Sequence, residues 1–65
     1  MPARRVLVVE DDLDTARTLV ALLKAEGHEV QFAINGYAAI SVAARFLPEV
    51  IILDLGLPEI GRAHV

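Results

Sequence analysis

Val6-Leu7-Val8-Val9 and Val50-Ile51-Ile52-Leu53 are apolar at every position and rich in β-branched residues. This is the pattern of strands buried on both faces of a parallel sheet. Glu29-Val30-Gln31-Phe32 instead alternates polar with apolar, which predicts an edge strand with one wetter face. Between the first two runs the period lengthens. Ala16, Leu19, Val20 and Leu23 fall at helical spacing, while Arg17, Lys24 and Glu26 lie off that stripe, so a helix is expected from Leu13 onward. Asp12 is placed to cap its start and Gly27 to end it in a left-handed turn. After the Asn35-Gly36 turn signal, Ala39, Ile40, Ala43 and Leu47 form a second, small-residue stripe. Pro48 closes that helix by disfavouring α geometry at Leu47.

The resulting order, strand, helix, strand, helix, strand, predicts an α/β fold. Right-handed crossovers put the first strand between the other two, giving the strand order 2-1-3. The carboxyl ends of the strands then open on one edge, where open α/β sheets bind ligands. That edge is acidic: Glu10-Asp11-Asp12 follows the first strand and Asp54 ends the third. Like charges gathered there repel by about 4 kcal/mol per pair at 4 Å and an effective dielectric near 20. A hard divalent cation is the natural neutraliser, and it points to a metal-dependent phosphate site.

Composition narrows the remaining choices. The chain has 65 residues, 55% of them hydrophobic, with a mean hydropathy of +0.53. No apolar run approaches the roughly 20 residues of a membrane span, so the apolar excess belongs to a buried core and no membrane partner is expected. Cysteine is absent, which excludes thiolate metal sites and thiol nucleophiles and makes the cytoplasm the default location. The net charge is -3, and the six basic residues are scattered rather than striped. A nucleic-acid partner for this segment is therefore not expected. Asp14 reads as a first-turn acid facing the helix dipole, His28 as a partly exposed turn residue, and Phe32, Tyr37 and Phe46 as packing groups.

Three segments together resemble the first half of a response-regulator receiver domain of two-component systems. They are Val6 to Asp12, the Gly27-His28-Glu29-Val30 turn, and Asp54-Leu55-Gly56-Leu57-Pro58. The resemblance implies a doubly wound, flavodoxin-like parallel sheet, truncated here to βαβαβ in the order 2-1-3. It implies that Asp54 is the phosphoacceptor, taking a phosphoryl group from a sensor histidine kinase or phosphotransfer protein. It further implies Mg²⁺ as cofactor, with Asp11, Asp54 and the backbone carbonyl of Gly56 as ligands and Glu10 acting through a metal-bound water. Such a module is a signalling switch rather than an enzyme, and Pro58 stiffens the loop beyond the acceptor.

The family fold continues for two more strands, whose Ser or Thr and Lys hold the phosphoryl oxygens; nothing here matches them. We therefore expect residues 1–58 to be the N-terminal half of a receiver domain, incomplete and inactive alone, with the C-terminal half and any output domain missing. Residues 59–65 are expected to be a non-family tail. Ile60-Gly61-Arg62-Ala63-His64-Val65 is what the sequencing adapter ATCGGAAGAGCACACGTC encodes in frame, and on that ground the tail is expected to be a truncation or sequencing artefact. Two alternatives remain open at this stage. One is a fragment of a Mg²⁺-dependent phosphotransferase or nuclease, against which Gly56 stands where an Asp-x-Asp motif needs its second acid. The other is a degenerate, metal-free interaction module.

Overall fold

The computed structural model describes residues 2–54. Gly56, Pro58 and the 59–65 tail lie outside the described residues. The elements run β1 (Arg5–Val9), α1 (Leu13–Ala25), β2 (Glu29–Ala33), α2 (Gly36–Phe46) and β3 (Val50–Leu53). The sheet is parallel in the order β2-β1-β3, with Val6 opposite both Val30 and Val50 and Val9 opposite both Ala33 and Leu53. This is the expected topology, and its two helices cover opposite faces.

The alternating side chains of β1 explain that layering. Val6 and Val8 join Val30 beneath Leu19, Val20 and Leu23 of α1. Leu7 and Val9 join Ala33 beneath Ala38, Ala39, Val42 and Ala43 of α2. Four consecutive β1 side chains are almost wholly excluded from water, as a two-sided strand requires.

α1 ends as its sequence dictates. The Gly27 amide donates to the Lys24 carbonyl at 2.9 Å and the His28 amide to the Leu23 carbonyl at 3.2 Å, with Gly27 at φ +95°. Those two bonds form a Schellman motif, which needs the left-handed residue that glycine adopts without strain. The start of α1 departs from expectation. Asp12 occupies the N-cap position, but its side chain makes no capping bond to the helix; Oδ2 instead accepts from the Thr15 hydroxyl at 2.6 Å. At α2, Asn35 does cap, its Oδ1 accepting from the Ala38 amide at 2.8 Å.

The stripe expected on α2 is corrected in two positions. Ile40 and Leu47 are exposed, and the face packed on the sheet is Ala38, Ala39, Val42 and Ala43, each partly buried. Ile40 lies about 100° round the helix from Ala39 at 3.6 residues per turn, which carries it off the sheet. Leu47 is no longer helical: it is the C-cap, left-handed at φ 54°, ψ 62°, so Pro48 ends the helix through a conformation costly for a side chain. Tyr37 is also exposed rather than packed, and Phe32 is partly so.

β3 is the least supported strand. Among the described residues the helices pack mainly over β1 and β2, and β3 pairs with β1. Ile51 and Leu53 are exposed, while Ile52 reaches the α1-side cluster. Its outer edge has no strand partner among the described residues.

Candidate functional site

The carboxyl ends of β1 and β3 are brought side by side. The Asp54 amide donates to the Val9 carbonyl at 2.9 Å, so the ladder runs to the last described residue, and on the other flank the Glu10 amide donates to the Ala33 carbonyl at 2.9 Å. Both bonds follow from strands that pair in step, without a bulge, until the acids begin. Glu10 thus leaves the sheet in its middle, and Asp54 ends the neighbouring strand.

Glu10 is the one polar residue in the buried set of the described residues, 2% exposed. Its Oε2 accepts from the backbone amide of Asp12 at 2.8 Å, folding the side chain back over the β1–α1 turn. That bond favours the carboxylate. Burial, the Asp11 carboxyl beside it, and the charges of Asp54 and Asp11 act the other way and prevail, so the Glu10 carboxyl titrates above its ordinary 4.5. Desolvation and like charges each penalise the ionised form. The influence of Asp54 on Glu10 is the electrostatic trace of two chain segments, forty-four residues apart in sequence, meeting at one edge.

Asp11 and Asp54 are themselves exposed, and Asp12 is engaged by Thr15. Among the described residues no three carboxylate or imidazole groups close round a single point. The donor set is all oxygen and anionic, and like charges raise its buried member. Such a set fits a hard, small cation that keeps several of its waters and takes one or two carboxylates, as Mg²⁺ does. The backbone carbonyl of Gly56, expected as a further ligand, lies outside the described residues.

Two features escaped the sequence pattern. Nothing in Glu10-Asp11-Asp12 signals that the first acid turns back onto the third residue's amide while the second stays in water. Nor does any local motif announce the cluster at the opposite, amino edge. There Arg5 Nε donates to the Leu47 carbonyl at 2.9 Å, and the Arg5 amide donates to Glu49 Oε1 at 3.1 Å. Nearby, the Arg4 amide donates to His28 Nδ1 at 3.1 Å.

No described helix is long and apolar enough to cross a membrane. In comparison with known proteins, the family model "Response regulator receiver domain" matches residues 6–61. Response regulator PleD of Caulobacter vibrioides is 46% identical over 54 residues, which cover 83% of this chain and 12% of that protein. Protein Rrf1 of Nitratidesulfovibrio vulgaris is 41% identical over 59 residues, covering 91% of this chain and 42% of its own length. Transcriptional regulatory protein KdpE of Mycobacterium tuberculosis is 42% identical over 60 residues, covering 92% of this chain and 26% of its own. The chain therefore spans less than half the length of each of these relatives. No solved structure is a significant match. With a family model spanning most of its length and a parallel 2-1-3 sheet of the expected topology, the chain belongs to the response regulator receiver domain family.

Proposed function

We propose that the chain is the phosphoacceptor half of a two-component signalling module, with Asp54 as the acceptor. Residues 1–58 act as the N-terminal half of the receiver domain, while the family match itself runs to residue 61, three residues into the 59–65 segment. In the reaction, an Asp54 carboxylate oxygen attacks the phosphorus of a phosphohistidine on a sensor kinase or phosphotransfer protein. The phosphorus–nitrogen bond breaks as the new phosphorus–oxygen bond forms, and the imidazole leaves with the electron pair. Asp11 and Asp54, with the Gly56 carbonyl, would hold Mg²⁺, and Glu10 would reach it through water. When bound, the ion supplies charge neutralisation for the transferring group. The chain's own contribution is positional: β1 and β3 set the carboxylates, and the Asp12 amide keeps Glu10 turned inward.

The observation that carries this reading is the placement of Asp54 on the Val9 carbonyl, next to Glu10, whose carboxyl it perturbs. A phosphoacceptor needs an accessible carboxylate beside a neutralisable cluster, and Asp54 is exposed where Glu10 is buried. The test is acetyl phosphate labelling, with Mg²⁺, of the full-length protein read from its genomic locus. Label on the parent protein and none on Asp54→Asn is the expected result. Label that survives the substitution overturns the assignment.

A further inference from the structure

Asn35 is the chain's one asparagine, and a glycine follows it. Asparagine is among the thermolabile side chains: its amide carbon can be attacked by the next backbone nitrogen, and a glycine there, lacking Cβ, leaves the approach open. The pair lies just past the end of β2, at the carboxyl edge of the sheet, and both residues are exposed. The local backbone gives no reason for a glycine at 36. Its φ is outside the left-handed region, and an added Cβ would meet nothing within 4 Å.

The groups that such a reaction needs are gathered here. The nucleophile is the Gly36 nitrogen, at the first position of α2, where an amide has no intrahelical acceptor. The electrophile is Asn35 Cγ. Its Oδ1 already accepts from the Ala38 amide at 2.8 Å, so a donor stands where negative charge develops as that carbon turns tetrahedral. The positive end of the α2 dipole favours the same charge. The cap also restrains the site: Asn35 is extended, at φ -160° and ψ 175°, and ring closure requires a turn about its Cα–C bond. Little opposes that turn. α2 has no buried residue, and Tyr37, next in its first turn, is 90% exposed. The turn rests on the capping bond, the bond from the Ala39 amide to the Asn35 carbonyl, and two partly buried alanines, and ends held so lightly open locally.

We propose that Asn35-Gly36 is a self-modification site, at which the asparagine converts to aspartate and isoaspartate. The Gly36 nitrogen gives up its proton and bonds to Asn35 Cγ. The Cγ–Nδ2 bond breaks, and ammonia leaves with the electron pair and that proton. Water then opens the cyclic imide at either carbonyl, which restores a free carboxylate and leaves the chain linked through the α- or the β-carboxyl carbon. Water is the only co-reactant. The two products differ at the helix. Aspartate keeps an oxygen for the Ala38 amide and adds a charge that the α2 dipole favours. Isoaspartate lengthens the main chain by one carbon and loses the cap. Either product adds a negative charge to the edge that holds Glu10, Asp11 and Asp54. The proposal stands whichever residue accepts the phosphoryl group.

The experiment incubates the folded, full-length protein in mildly alkaline buffer and follows, by mass spectrometry, the tryptic peptide between Lys24 and Arg45, which contains Asn35. Isoaspartate in it is counted by enzymatic methylation with an isoaspartyl methyltransferase. The expected result is an acid form that grows with time, part of it isoaspartate, more slowly than in the urea-unfolded chain. Gly36→Ala should slow the conversion by about tenfold, the effect of about 1.4 kcal/mol of added barrier. Because its new Cβ enters open space, the denaturation midpoint should not fall, so the slowing is chemical rather than structural. Asn35→Ser keeps a capping oxygen and should yield no acid form. A folded protein still wholly in the amide form once the unfolded chain has converted overturns the proposal. So does a Gly36→Ala protein that converts at the parent rate. An acid form that persists in Asn35→Ser overturns it as well, since the change would then lie at Gln31, the other amide of that peptide.

Discussion

At the amino end of the sheet, polar and charged groups are partnered: Glu49 with the Arg5 amide and the Arg4 side chain, the Arg5 side chain with the Leu47 carbonyl, and His28 Nδ1 with the Arg4 amide. At the carboxyl end, Glu10, Asp11 and Asp54 meet with no cation among the described residues beside them. The same parallel sheet forms both ends, so topology does not explain the contrast. An end built for stability resolves its charges internally. An end that leaves a buried glutamate beside like charges carries an electrostatic cost that only an outside cation or a chemical event can relieve. Such unresolved charge is where function is to be sought.

If the amino end is structural, damage there should reduce stability and leave carboxylate chemistry alone. Gly27→Ala is the sharpest case, because nothing lies within 4 Å of the added Cβ and the whole effect comes from backbone strain at φ +95°. The expected cost is about 1–2 kcal/mol, read as a lower denaturation midpoint. Fractional acetyl phosphate labelling of the molecules that remain folded should be unchanged. A loss of labelling out of proportion to unfolding would couple the two ends and erase the distinction.

The elements most legible in the sequence are those governed by local chemistry. β1 announced itself through four apolar residues that serve two faces, and Gly27 through the one backbone conformation it permits. The Asp54–Glu10 meeting was legible too, because β2 alternates as an edge strand does, which leaves the two wholly apolar strands β1 and β3 as neighbours. The errors arose where side chains choose among partners. Ile40 and Leu47 match a helical spacing but sit outside the arc that α2 presents to Leu7 and Val9. Arg5 bonds to residues 42 and 44 positions away, and no window along the chain contains both ends of such a contact.

The carboxyl end should behave in the opposite way, gaining stability when a charge is removed. Glu10→Gln keeps an oxygen to accept from the Asp12 amide and deletes the repelled charge, so its thermal midpoint without divalent ions should exceed the parent's at pH 7. The sign follows from the raised titration of Glu10. Between its unfolded value, near 4.5, and its higher folded value, the folded chain holds a proton that the unfolded chain has lost. Stability from this group therefore falls as pH rises through that window, and the penalty is complete above it. Below about 4.5 both states are protonated and the advantage of Gln should vanish. Mg²⁺ should narrow the difference at pH 7 by stabilising the parent. A parent chain more stable than Glu10→Gln at pH 7 in the absence of metal would mean that the cluster carries no stored repulsion.

The smallest effect is expected at Asp12, and it tests whether every acid at this end belongs to the cluster. Asn35 makes a true capping bond to Ala38, so Asn35→Ala should cost about 1 kcal/mol. Asp12 holds the equivalent position on α1 without one, and its carboxylate contributes an exposed bond to the Thr15 hydroxyl. The charges that raise Glu10 come from Asp54 and Asp11, so removing the Asp12 carboxylate costs only that exposed bond. Asp12→Ala should thus change stability by no more than a few tenths of a kcal/mol, measured by denaturant unfolding beside Asn35→Ala. A cost equal to that of Asn35→Ala would restore Asp12 as a cap and shrink the unresolved charge to Glu10, Asp11 and Asp54. A clear gain in stability would add Asp12 to the repelling set, making the acidic step one electrostatic unit from its first residue to its third.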